Sequence, residues 1–144
     1  MTDHLHLTRA AEYETLGVFR DAIAQMCARQ RIDAQTTYDL QLAMDEACTN
    51  IVEHGYKGMN PGSLMFELDI DASQVVMRIT DFGRPFEPYE PAMPSAQTVL
   101  ESNKLGGFGL IFIYKVMDGV DYKTTEEGNT LILTKKLSAK EKTA

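Results

Sequence analysis

The chain has 144 residues, which is typical of a single domain, and we expect that domain to span residues 1–144 with an ordered core over residues 3–137. Hydrophobic residues make up 44% and charged residues 24%, a balance that excludes disordered, collagen-like and coiled-coil classes. The 14 Lys and Arg residues against 21 Asp and Glu residues give a net charge of −7. That charge disfavours nonspecific binding to nucleic acid or to anionic membranes, so we expect neither as a partner.

The cysteine usage and the first residues bear on the compartment. Cys27 and Cys48 both lie in segments with helical apolar spacing, which predicts buried, reduced thiols. The N-terminal residues MTDHLHLTRAAEYE have neither the basic nor the apolar region of a signal peptide. No apolar run approaches the roughly 20 residues of a membrane span. These features predict a cytoplasmic location.

The first elements are a short strand and a helix. Leu5 and Leu7 alternate with polar residues, which predicts a strand. Apolar residues then recur at helical spacing over residues 10–29, with Thr8 as a candidate helix cap. A second helix is predicted from a cap at Asp33 or Thr36 to about His54.

The middle of the chain predicts a hairpin. Gly55 ends the second helix, and a loop rich in glycine follows it. Strict alternation of apolar and polar residues over 64–70 predicts a half-buried strand, and residues 75–80 predict the next one. Three residues after the first strand, beginning at Asp71, turn the chain, so the pair should be antiparallel.

Regular patterning is lost from Gly83 to Lys104, a segment that carries four of the five prolines. A stretch of this length without a pattern, in a small domain, is typical of a lid or binding loop. A helix with apolar residues over 110–117 follows, then two strands over 120–125 and 130–137. The order β-α-α-β-β-loop-α-β-β predicts an α+β two-layer sandwich, with helices on one face of a mixed, mostly antiparallel sheet.

Three polar residues on the second helix are the first candidate site. Glu46, Asn50 and His54 stand four residues apart, so on a regular helix they share one face. Glu46 can accept a proton, and the neutral oxygen of Asn50 suits a Mg²⁺ ion already bound by phosphates. A solvated polar helix face is the alternative interpretation.

Two glycine-containing segments are the other candidates. Asp81 ends the second hairpin strand and Gly83 follows it; an ionised Asp can accept a hydrogen bond from an exocyclic amine, although such pairs also form ordinary turns. Gly106, Gly107 and Gly109 precede a helix, where free N–H groups and the helix dipole favour phosphate. A tight loop without a ligand is the alternative there.

Taken together, these segments resemble a known family. In chain order they are similar to the N, G1 and G2 boxes of the GHKL ATPases, with Glu46, Asn50, Asp81, Gly83, Gly107 and Gly109. The segments DEACTNIVEHGY, TDFGRPFEP, GGFGL, MDGVDY and GNTLILTKKL resemble more closely the anti-sigma factor serine/threonine kinases of partner-switching systems. The resemblance covers residues 5–137 and implies a Bergerat-type ATP-binding fold.

The resemblance implies roles for single residues. Glu46 matches the general base and Asn50 the Mg²⁺ ligand, while Asp81 matches the acid that contacts adenine. Thr130 matches a residue that supports the adenine contact from a late strand. The glycines at 106, 107 and 109 match the hinge of an ATP lid near the phosphates.

Three further residues carry alternative interpretations. Arg20 matches an arginine with which relatives hold protein partners, and a surface ion pair is the alternative. Lys104 lies in a lid shorter than that of other relatives, as a phosphate contact or a solvated lysine. His54 matches a histidine at the helix end, for which a structural cap is favoured.

The resemblance implies an enzyme that uses ATP and Mg²⁺. It would phosphorylate a serine or threonine of an anti-anti-sigma protein of the STAS class, and would otherwise sequester a sigma factor or another regulator as a homodimer. One alternative is a protein-binding module that nucleotide only reshapes. Another is a switch kinase that controls a phosphatase without inhibiting a sigma factor.

Overall fold

The computed structural model describes residues 2–85 and 107–138, with the side chains of residues 107–111 excepted. Five strands and three α-helices lie in these ranges, and a π-helical turn, Ile51–Gly55, continues the second helix. The elements are β1 (Asp3–Ala10), α1 (Tyr13–Arg29), α2 (Ala34–Asn50), β2 (Ser63–Ile70), β3 (Gln74–Asp81), α3 (Gly107–Val116), β4 (Gly119–Thr125) and β5 (Gly128–Lys136). The lid prediction lies almost wholly outside the described residues.

The five strands form one sheet in the order β1-β2-β3-β5-β4, and every neighbouring pair is antiparallel. The α+β two-layer prediction is confirmed, but the prediction of a mixed sheet needs correction. The connection through α3 does join two strands of the same direction, β3 and β4. Because β5 returns between them, they never pair, and no parallel ladder forms among the described strands.

Strand alternation builds the core. On β2 and β3 every second side chain is buried, and these side chains lie beneath α1 and α2. Phe19 of α1 stacks on Phe66 of β2 with ring centroids 4.7 Å apart, which joins the two layers. The thiols of Cys27 and Cys48 are free and buried, as predicted.

The helices α1 and α2 begin in different ways. β1 pairs with β2 as far as Ala10, so Thr8 lies within the strand and does not cap α1, which begins at Tyr13. Asp33 caps α2, as predicted, because its Oδ1 accepts the N–H of Thr36 at 2.9 Å. No helix in the described part of the chain is both long and apolar enough to cross a membrane.

The last strand anchors α3. Lys135 of β5 donates from Nζ to the carbonyl of Val116 at 2.8 Å, and the same Nζ lies 3.7 Å from Asp39 of α2. A cation at the C-terminus of α3 satisfies an orphan carbonyl and the negative end of the helix dipole. This half-buried group therefore links α3, the helix that follows the glycine segment, to α2 and the sheet.

Candidate nucleotide site

Asp81 is the last residue of β3, and its side chain points to the helix-covered face of the sheet. The alternation of β3 places it in line with Met77 and Ile79, and only 3% of Asp81 is exposed. Its Oδ1 accepts two hydrogen bonds, one from the N–H of Gly83 at 2.9 Å and one from Nδ2 of Asn129 at 3.1 Å. The carboxylate is therefore held rigidly at the edge of the core.

The surroundings of this carboxyl group shift its titration. Burial raises the pKa of Asp81 above its ordinary value, because the charged form loses its water, while the bonds from Asn129 and Gly83 oppose that shift. A buried carboxylate with two N–H donors on one oxygen keeps acceptor capacity on the other. The group is suited to hydrogen-bond a donor such as an exocyclic amine.

Asn129, the second donor to Asp81, was missed in the sequence. It lies opposite Asp81 in the β3–β5 register, and its Nδ2 also donates to the carbonyl of Gly83 at 2.9 Å. The signal was available, because Asn129 stands two and four residues before the buried Leu131 and Leu133. An amide in phase with buried leucines belongs on the covered face.

Thr130, the residue that the resemblance implied for this role, lies on the other face of the sheet. Its hydroxyl lies 2.9 Å from the hydroxyl of Thr80, its partner in the β3–β5 register. Successive side chains of a strand point to opposite faces, so the neighbour of Asn129 cannot reach the same carboxylate. The residue of β5 that contacts Asp81 is therefore Asn129, and the nucleotide role implied for Thr130 stays a prediction.

Gly83 is needed at a crossing of two backbone segments. A Cβ on Gly83 would lie 2.2 Å from the carbonyl oxygen of Gly55, and the N–H of Arg84 donates to that same oxygen at 2.6 Å. The absence of a side chain at Gly83 therefore admits the end of the helical segment that carries Glu46 and Asn50.

The side chain of Tyr56 stabilises this crossing through two hydrogen bonds. Its hydroxyl donates to the carbonyl of Ser63 at 2.8 Å and accepts the N–H of Phe82 at 2.8 Å. The ring also fills the space beside Gly62, where an added Cβ would lie 2.7 Å from a ring carbon. One side chain therefore joins the end of α2, the start of β2 and the end of β3.

Glu46 and Asn50 lie one turn apart on α2, and both are half-buried. Burial raises the pKa of Glu46, and the negative charges of Asp45 and Glu53 raise it further. A carboxylate with a raised pKa binds a proton more readily, which suits a general base near neutral pH. Glu46 and Asn50 therefore both lie on the partly exposed side of α2.

The π-helical turn separates His54 from that face. Hydrogen bonding from residue i to i+5 makes the turn wider, and because this turn begins directly after Asn50 and includes His54, the regular four-residue spacing ends there. Gly55 is buried and a Cβ on it would lie 3.8 Å from Oδ1 of Asp81, whereas the side chain of His54 is 54% exposed. The wider turn thus brings the end of the helix against Asp81.

The remaining predicted residues lie in three different places. Arg20 forms a two-point ion pair with Asp45, at 2.9 Å and 3.2 Å, as the alternative interpretation had it. Gly107 begins α3 and Gly109 lies in its first turn, at the helix end where a phosphate would be favoured. Gly106 and Lys104 lie outside the described residues.

The donor groups present can be tested against Mg²⁺. Among residues 2–85 and 107–138 no cluster of three or more His, Cys, Asp or Glu side chains could hold a metal ion. Mg²⁺ commonly takes one or two protein oxygens and completes its shell with phosphates and water. The side-chain oxygen of Asn50 fits that mode, in which nucleotide brings most of the ligands.

Comparisons with known proteins agree with this geometry. The family model for the histidine kinase-like ATPase domain matches residues 9–135. The chain is 30% identical to the serine-protein kinase RsbW of Listeria innocua, over 95% of this chain and 88% of that protein. It is 28% identical to the serine-protein kinase RsbW of Oceanobacillus iheyensis, over 96% of this chain and 89% of that protein.

A solved structure shares the fold. The crystal structure of the RsbU and RsbW domains of a Mycobacterium tuberculosis protein superposes with a TM-score of 0.68 at 19% identity. The match covers 92% of this chain and 32% of that one, so the chain spans about a third of that larger protein. The resemblance and the fold class predicted from the sequence are confirmed.

Proposed function

The chain belongs to the family of serine-protein kinases with a histidine kinase-like ATPase domain, and we propose that it transfers the γ-phosphoryl group of ATP to a serine or threonine of a separate small protein. The observation that carries this proposal is the contact between two elements. The end of the helical segment bearing Glu46 and Asn50 lies against the buried carboxylate of Asp81. A base-recognition group and a catalytic face therefore belong to one site.

The base of ATP binds at Asp81. The oxygen of Asp81 that is not engaged by Gly83 and Asn129 accepts a hydrogen bond from the exocyclic amine of adenine. Such a bond is charge-assisted and contributes about 1.5–3 kcal/mol. The N-terminus of α3, where Gly107 and Gly109 lie, would favour the phosphates.

Glu46 acts on the acceptor hydroxyl. Its carboxylate takes the proton of the serine or threonine hydroxyl as that oxygen bonds to the γ-phosphorus. The bond from the γ-phosphorus to the β,γ-bridging oxygen breaks, and ADP leaves with the electron pair. The raised pKa of Glu46, caused first by burial, brings its proton affinity closer to that required at neutral pH.

Asn50 would hold the metal that accompanies the nucleotide. Its amide oxygen is neutral, and the residue is half-buried and one turn from Glu46 on α2. When bound, Mg²⁺ neutralises negative charge on the phosphates. A neutral ligand from the protein leaves Glu46 free to remain a proton acceptor.

We assign the protein partners from the family. The phosphorylated protein is an anti-anti-sigma protein of the STAS class, and the second partner is a sigma factor or another regulator that the kinase sequesters. Arg20, exposed on α1 beside the catalytic face of α2, is a candidate contact for either. A homodimer in the cytoplasm is the expected form, and the two free buried cysteines suit a reducing compartment.

Two measurements test the proposal. Titration calorimetry with Mg²⁺ and ADP should show saturable binding, and the absence of binding at millimolar nucleotide would overturn the nucleotide site. STAS proteins encoded beside this gene, mixed with ATP labelled on its γ-phosphate, should gain label on a serine or threonine. Tight binding of ADP together with a complete lack of transfer would instead identify a nucleotide-regulated binding module.

A further inference from the structure

Lys135 is a charged residue on the covered face of the sheet. On β5 it stands two and four residues after the buried Leu133 and Leu131, and only 16% of its side chain is exposed. A strand position in phase with buried leucines usually holds an apolar side chain, because burying a charge costs free energy unless the charge is paired. The ammonium group of Lys135 therefore depends on the partners around it.

The partners of Lys135 belong to two helices. Its Nζ donates to the carbonyl oxygen of Val116, in the last turn of α3, at 2.8 Å, and lies 3.7 Å from Oδ2 of Asp39 on α2. The side chain of Asp39 is also only 16% exposed, and its Oδ1 accepts a hydrogen bond from Gln35 at 2.9 Å. The ammonium group thus bridges a carboxylate of one helix and a carbonyl of the other.

Two kinds of contact hold the last turns of α3. Apolar contacts have no preferred direction, so the buried side chains of Ile113 and Met117 keep this end of the helix in the core without setting its orientation. The hydrogen bond from Lys135 to a carbonyl does require a defined geometry. Apolar residues of similar volume often stabilise a fold as well as a buried ion pair does, so stability alone does not account for this bridge.

We propose that Lys135 is a positioning residue for phosphoryl transfer, because it joins the two helices between which the transfer takes place. The proposal rests on the function proposed above. Asp39 lies about two turns before Glu46 on α2, and Val116 lies at the opposite end of α3 from Gly107. A rotation of α3 about its last turn moves its N-terminus most, since that end is about 14 Å away. The bridge therefore sets the position of the phosphate end of α3 relative to Glu46.

The test removes the whole ion pair, because a single substitution would leave one charge buried without its partner and destabilise the fold. In the double variant Asp39→Leu/Lys135→Met, phosphoryl transfer at saturating ATP should fall about 10–10²-fold, since small displacements of reacting groups have effects of this size. The midpoint of urea unfolding should stay at or above that of the wild type. Wild-type transfer, or a loss of transfer no larger than the loss of folded protein, would overturn the proposal.

Lys136→Met is the matched control. It removes the same charge from the next residue of β5, which is exposed and follows Lys135 on the opposite face of the strand. This variant should transfer phosphate at the wild-type rate. A loss in Lys136→Met as large as that in the double variant would show that the charge of β5, and not the bridge, determines the rate, and would overturn the assignment.

Two ligands distinguish a displaced helix from a damaged site. Calorimetry with adenosine, which has no phosphate groups, should give the same affinity in the double variant as in the wild type, because Asp81 is unchanged. The affinity for ADP with Mg²⁺ should fall severalfold, since only ADP reaches the N-terminus of α3. Equal losses for adenosine and ADP would overturn the proposal. If the wild type binds neither ligand, the proposed function itself fails, and this result differs from all the others.

Discussion

Asp81 and Glu46 are both acidic and both have a pKa raised by burial, yet their surroundings differ. Asp81 is 3% exposed at the end of a strand, and two N–H donors hold one of its oxygens. Glu46 is half-buried on a helix, and within the described residues it has no hydrogen-bond donor. Its nearest charged influences are Asp45 and Glu53, which repel the ionised form.

This difference assigns two roles to two carboxyl groups. A carboxylate fixed by donors is preorganised to accept a hydrogen bond from a ligand. A carboxylate without donors, beside like charges, gains most from taking up a proton. Asp81 is thus suited to binding and Glu46 to proton transfer, and each of the following experiments changes one side of that contrast.

The largest effect is expected from Glu46→Gln. The substitution keeps the shape and removes the proton acceptor, so phosphoryl transfer should fall by about 10²–10⁴-fold while ADP binding stays near the wild-type level. Transfer of labelled phosphate to the cognate partner and calorimetry with ADP measure the two quantities. Wild-type transfer by Glu46→Gln would show that Glu46 is not the base.

The reciprocal change is Asp81→Asn. It replaces the carboxylate, which would form a charge-assisted hydrogen bond with the amine of adenine, by a neutral amide. The binding free energy of ADP should therefore become weaker by about 1.5–3 kcal/mol. Any transfer that remains at saturating ATP should be close to the wild-type rate, because Glu46 is untouched. An affinity for ADP within twofold of the wild type would show that adenine does not bind at Asp81.

Asp81 also predicts a dependence of stability on pH. Its pKa is raised in the folded state, so the folded protein binds the proton more tightly than the unfolded chain does. The free energy of unfolding therefore decreases as pH rises from the ordinary aspartate pKa, 3.8, through the raised value. Urea unfolding of wild type and Asp81→Asn across this range should show that the variant lacks this decrease. Parallel curves would contradict the assignment.

The crossing at Gly83 tests whether the two sides of the site depend on each other. In Gly83→Ala the new Cβ would lie 2.2 Å from the carbonyl oxygen of Gly55, and the strain should cost about 1–3 kcal/mol of unfolding free energy. Gly17→Ala in α1 is the matched control, because nothing lies within 4 Å of its Cβ. It should instead stabilise the protein by about 0.5–1 kcal/mol. Equal effects in urea unfolding would argue against the close crossing.

Local pattern was enough to predict most of the elements. Alternation over β3 accounts for the covered face on which Asp81 lies, and helical spacing over α2 accounts for the partly exposed side on which Glu46 lies. Their roles in a site stay predictions. The sequence did not predict which side chains come together across two elements, or where the regular helix ends. The prediction that Asn50 and His54 share one helix face assumed a regular α-helix, and the π-helical turn interrupts that helix. Thr130 came from resemblance, although alternation with Leu131 pointed to its neighbour Asn129.

The crossing of Gly55 and Gly83 shows a second limit of the sequence. Each glycine alone is compatible with a turn, a cap or a ligand contact. Their partnership joins segments 28 residues apart in sequence and depends on how α2 packs over the sheet. Spacing along the chain carries no information on which backbone oxygen a distant glycine will meet.

The smallest effect is expected at the ion pair of Arg20 and Asp45. Because the charge of Asp45 raises the pKa of Glu46, this ion pair tests the part of the comparison that concerns Glu46. The pair is partly exposed, with 44% of the Arg20 side chain and 30% of the Asp45 side chain accessible, so Arg20→Ala should cost about 0.2–1 kcal/mol of stability. Arg29 lies on the same helix as Arg20 and forms a similar ion pair with Asp3 of β1, so Arg29→Ala should cost about as much stability.

Only Arg20→Ala frees the charge of Asp45, one of the groups that raise the pKa of Glu46. The pH midpoint of the maximal transfer rate should therefore rise on the order of a few tenths of a unit in Arg20→Ala and stay unchanged in Arg29→Ala. Equal midpoints in all three proteins would mean either that Glu46 does not titrate in the rate or that Asp45 is too well screened to affect it, and repeating the profile at low salt separates these outcomes.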